Sequence, residues 1–139
     1  MAASIVDIAD AIVVSLNGAS LSMPLTAVRK YALQADLPEM KDLHVTVVPV
    51  GTADTGPGSR GQRQVDHQIS LVFQKHIDDD ADVDGLLLLV QEASDFLYGR
   101  RLSEATCMAT ANEPLLDVDH LRELRQFTSV LQAACRLYR

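Results

Sequence analysis

Apolar residues open the chain at the spacing of one helical face: Ile5, Ile8, Ile12 and Leu16 fall three or four apart until Asn17-Gly18 breaks the run. Ser4 and Asp7 stand at its start as a capping box, hydroxyl and carboxylate each satisfying an orphan amide of the first turn. After Pro24 the period changes. Residues 25–34 mix β-branched and aromatic side chains with Arg29 and Lys30 and read as a long, partly exposed strand, which Leu37-Pro38-Glu39-Met40 interrupts. Residues 43–50 (LHVTVVPV) form a second β-rich run closed by Pro49, and residues 51–61 carry four glycines and a proline, the composition of a loop. Residues 64–76 alternate clearly. Val65, Ile69, Leu71 and Phe73 share one face of that strand, while Asp66, Gln68, Ser70 and Gln74 share the other.

Asp82 or a neighbouring aspartate caps a second helix, whose stripe of Val83, Leu86, Leu87, Val90, Ala93 and Leu97 ends at Gly99. Acids at its start and Arg100-Arg101 beyond its end both suit the helix dipole. A short strand over residues 106–109, a polar turn through Glu113-Pro114, a helical patch over residues 120–124 and a long final strand over residues 127–138 complete the chain. The predicted order is α-β-β-β-α-β-β. It makes an α+β fold of one domain over residues 1–139, with a largely antiparallel sheet of about five strands and two helices packed on one face. The other face, with Asp66, Gln68, Ser70, Gln74 and part of the final strand, is left for solvent or a neighbouring subunit.

Composition narrows the function. Lys and Arg number 12 against 19 Asp and Glu, a net charge of −7 that repels phosphate backbones, so nucleic acid is no tight ligand but can pass nearby without being held. Aromatic residues are 4% with no Trp, which leaves few stacking platforms for bases or sugars. No run approaches the roughly 18 apolar residues that span a bilayer. Asp7 stands where a secretory leader carries basic residues, so the expectation is a cytoplasmic chain without a membrane partner. Cys107 and Cys135 are isolated in sequence, match no metal-ligand spacing and read as reduced apolar fillers.

Two sequence patterns imitate ligand sites. Residues 56–61 (GPGSRG) carry the letters of a dinucleotide fingerprint, but pyrophosphate needs a helix N-terminus directly after the glycines and the next predicted element is a strand. Asp80, Asp82, Asp84 and Gly85 match the start of a calcium loop, yet Gln91 stands where the bidentate carboxylate belongs and Leu86 to Leu89 are helix core. His44, His67, His76 and His120 form no metal spacing; His67 shares the parity of Val65 and Ile69 and reads as a core-edge histidine held by a hydrogen bond. No serine lies in a nucleophile elbow, so neither a catalytic residue nor a cofactor is expected and the chain is not read as an enzyme. The candidate interaction residues are charged: Arg60, Arg63, Arg100, Arg101, Arg136 and Arg139, set against an acidic run that includes Asp80 and Asp82. In a head-to-tail ring the arginines of one subunit would meet the acids of the next.

The short first helix, the block PEMKDLHVTVVPVG, the strand HQISLVFQKH, the helix ending EASDFLYGRRL and the closing strand RQFTSVLQAACRLYR together resemble a small protein of the tailed-bacteriophage neck and tail-completion group, most like a tail terminator. The resemblance spans nearly the whole chain and rests on element order and apolar pattern. It implies a homo-hexameric ring at the head-proximal end of the tail, which stops growth of the tail tube protein and presents a docking surface to a neck or head-completion protein. It further implies assembly in the host cytoplasm, residence in the virion and DNA passing through the lumen without specific binding. Two readings stay open beside it: a neighbouring neck or head-completion subunit, and a small ligand-binding or enzymatic α+β domain whose glycine-rich loop binds an anion.

Overall fold

The computed structural model describes residues 4–23, 25–30, 43–57, 63–77, 79, 81–112, 119, 121–122 and 125–138, beginning with the predicted capping box. Ser4 Oγ accepts from the Asp7 amide at 3.2 Å, and Asp7 Oδ2 accepts from the Ser4 amide at 2.9 Å. These bonds start α1 (Ile5–Asn17), which buries Ile8, Ala9, Ile12 and Leu16 along one stripe. The remaining elements are β1 (Thr26–Arg29), β2 (His44–Pro57), β3 (Arg63–His76), α2 (Ala81–Leu97), β4 (Arg101–Leu102), β5 (Ala105–Asn112) and β6 (Gln126–Tyr138). The strands lie side by side in the order β1-β2-β3-β6-β5-β4. β1 pairs parallel with β2, and every other pairing is antiparallel. The fold is α+β as predicted, with six strands among the described residues in place of about five.

The sheet curls, because α1 rests on β1 and β2 near one edge and on β4 at the other, while α2 packs against β6. Both helices feed one apolar cluster with the inward positions of the strands, among them Val65, Ile69, Leu71 and Phe73 of β3 and Leu131, Ala133, Cys135 and Leu137 of β6. Burying each large aliphatic or aromatic side chain there contributes about 1.5–3 kcal/mol.

The structure corrects or extends the expectations in four places. β2 does not stop at Pro49 but runs on to Pro57, so residues 51–57 of the expected loop are strand; residues 58–61 lie outside the described residues. Among the described residues β1 pairs only with His44 to Val47, so Pro49 faces no described strand on that side and its missing amide costs no ladder bond there. A register shift between Pro49 and Gly51 leaves Val50 as an extra, largely exposed residue. Second, the final strand, whose place in the sheet the sequence order leaves open, is interior, flanked by β3 and β5.

Third, the outer face is not uniformly open. Thr46, Val72, Gln74, Gln126 and Thr128 are buried on it, so one end of the sheet is covered on both faces and Gln74 is not left for solvent. Finally, β4 and the tight Ser103-Glu104 connection were not predicted, and the short predicted strand over residues 106–109 extends to Asn112. In α2, Leu89 is fully buried whereas Leu87 is only partly so. The predicted strand beyond residue 30 and the Glu113-Pro114 turn lie outside the described residues, as does the predicted helical patch apart from residues 121–122, which are helical.

Candidate functional site

Strand register assembles what sequence left apart. Arg101 of β4 pairs with Thr106 of β5, which pairs with Arg136 of β6, which pairs with Asp66 of β3, giving one row across four strands. Leu102 and Leu137 are buried, so their neighbours Arg101 and Arg136 belong to the face away from the core. Arg136 makes a two-pronged contact with Asp66, Nε to Oδ1 at 2.8 Å and Nη2 to Oδ2 at 3.2 Å. This carboxylate holds the guanidinium pKa above its ordinary value. A depression of about 520 Å³ opens beside the row, and its lining includes Arg101, Glu104, Met108, Arg136 and Tyr138. Met108 and Tyr138 are 46% and 55% exposed. Exposed methionine, tyrosine and arginine on one patch have the composition of a protein interface.

The other candidate residues fall in separate places. Arg100 is occupied at the end of α2, where its guanidinium lies 3.8 Å from the Phe96 ring centroid and its Nε donates to Phe96 O at 3.3 Å. Arg63 is exposed at the start of β3, and Asp82 is exposed in the first turn of α2 beside Asp84. Arg60, Asp80 and Arg139 lie outside the described residues. Sequence reading missed an apolar groove of about 550 Å³ between α2 and β5, lined by Leu87, Leu88, Val90, Gln91, Ser94 and Asn112. Leu88 stands 62% exposed in it, and the hydroxyl of Ser94, one of its lining residues, meets that of Thr110 of β5 at 2.7 Å. A single exposed leucine gives no sequence signal, because such residues are common on any surface.

The described parts of the two ligand patterns have the following shapes. Asp82, Asp84 and Gly85 are helical, so they do not form the open loop that calcium requires. Gly56 and Pro57 end β2, and the next described element is β3 and not a helix. His67 is buried with Nδ1 2.8 Å from Thr52 Oγ1, directly across β2 and β3, as expected of a histidine held in the core. Among the described residues no group of three His, Cys, Asp or Glu is placed to hold a metal.

No family model and no curated protein matches the chain. A solved structure similar to it is the sheath/tube terminator, in the extended state, of an extracellular contractile injection system (PVC), determined by cryo-EM. The likeness has a TM-score of 0.52 at 12% sequence identity and takes in 100% of this chain. The chain spans 58% of the length of that terminator. At this identity the shared property is the fold.

Proposed function

We propose that this chain is a structural subunit that caps the tube of a phage-type tail: copies form a ring at the head-proximal end, stop tube growth and present a surface that joins tail to head. On this reading it has no catalytic task and resides in the virion. One observation carries the proposal, the likeness of its fold, over the whole chain, to that of a sheath/tube terminator. The surface supports it, because the Arg101, Met108 and Tyr138 depression and the apolar α2 groove have the character of protein contacts. The acids opening α2 and Arg101 are of opposite charge and suit head-to-tail pairing between neighbours. A net charge of −7 suits a passage through which DNA slides.

The test is tube growth. Purified tube protein from the same particle is polymerised with and without this chain, and lengths are measured by electron microscopy. Substoichiometric chain shortens the tubes, and Met108→Ser combined with Tyr138→Ala weakens that effect by about tenfold while leaving the fold intact. Tubes of unchanged length at saturating chain contradict the proposal.

A further inference from the structure

Cys107 and Cys135 are far apart in sequence, yet register sets them directly opposite each other on β5 and β6. The main-chain groups of Cys107 turn the other way: its amide donates to Arg100 O at 3.0 Å and its carbonyl accepts from the Gly99 amide at 2.8 Å. Toward β6 the pair is therefore non-hydrogen-bonded, the arrangement in which facing Cα atoms approach to about 4.5 Å and side chains come closest. A disulfide requires Cα atoms about 4.4–6.8 Å apart. Both side chains belong to the core cluster and both thiols are free. Their side chains face each other across that pair, Cys107 Sγ donates to Ala109 O at 3.7 Å, and each thiol shifts the other's pKa, Cys107 downward and Cys135 upward.

We propose that Cys107 and Cys135 are a redox pair, closed from dithiol to intrachain disulfide by exchange with a small-molecule disulfide. The Cys107 thiolate attacks one reagent sulfur, forming a mixed disulfide and expelling one reagent thiolate. The Cys135 thiolate then attacks Cys107 Sγ, forming the intrachain bond and expelling the second. Two cysteine thiols are oxidised, the reagent is reduced to two thiols, and the cysteine protons end on those thiols. Cys107 is the first nucleophile, because β5 lies next to the two-residue edge strand β4 whereas Cys135 stands on the interior strand β6. The neighbouring Cys107 sulfur and burial raise the Cys135 pKa, and Cys135 is the resolving thiol, acting once its partner sulfur is bonded to the reagent and no longer anionic. Both thiols are fully buried, so exchange proceeds through local opening at the sheet edge, where the two-residue β4 pairs with β5 and Leu102 leaves the core cluster. This inference does not depend on the proposed function.

The test uses the whole chain, held native in glutathione buffers from reducing to oxidising, quenched in acid, alkylated in denaturant and weighed intact. The oxidised chain loses the mass of two hydrogens and takes up no alkyl group. Its melting temperature rises by about 5–10 °C. The Cys135→Ser variant stops at a single glutathione adduct. The bond forms with an equilibrium constant about tenfold or more larger in the native chain than in urea, since a bond that stabilises the fold is stabilised by it. Cysteines that stay alkylatable across the whole series overturn the proposal. So does a bond that forms no better in the native chain than in urea, or one that links separate chains on a non-reducing gel.

Discussion

Ser4 and Asp7 show how far a few side chains can set a local outcome. The Ser4 amide and then its hydroxyl donate to the Asp7 carboxylate and hold its pKa below the ordinary 3.8. A lowered folded pKa contributes stability that is full above the unfolded value and is lost as pH falls through the folded one. Urea midpoints should therefore decline as pH drops below about 4, and Asp7→Asn should flatten that part of the profile. Equal acid slopes for the two proteins would contradict this role. The capping box was legible because its partners are local. Ser103 was not, since it takes φ 58° in the β4–β5 turn where a glycine would have signalled a hairpin. The Cys107–Cys135 pairing was equally invisible, because only strand register creates it.

At the scale of elements, periodicity gave α1, α2, β3 and β6, while the ends and edges of the sheet escaped it. Pro49 and Gly51 read as breakers, yet β2 carries both, one where no outer partner stands among the described residues and the other at a bulge. The β1 edge shows another interaction that sequence spacing does not reveal. Asn17, which reads as a helix stop, accepts from the Ala27 amide at 2.8 Å and donates to the Ala27 carbonyl at 3.1 Å. Its side-chain amide thus occupies main-chain groups that a second strand would use, and blunts that edge. Asn17→Ala removes both bonds and should cost about 1–2 kcal/mol in urea unfolding, with hydrogen exchange accelerated at Ala27 ahead of the β3 amides. Unchanged exchange at Ala27 would show that the amide does not hold the edge.

For the whole molecule, the α+β class, the largely antiparallel sheet and the two-helix core followed from the order of apolar patterns. The candidate surfaces were less legible. Listing arginines did not separate Arg136, held by Asp66, and Arg100, stacked on Phe96, from Arg101 at the exposed sheet edge. Nor did it find the Met108 and Tyr138 patch or the α2 groove, which arise when distant segments meet. These surfaces gain their proposed meaning from assembly at a tube end. The most direct measurement is cryo-EM of tubes grown with this chain. The prediction is a closed six-fold ring at one tip, with the Arg101, Met108 and Tyr138 depression or the α2 groove buried in a protein contact. Bare tips beside a monomeric chain with both surfaces in solvent would contradict it.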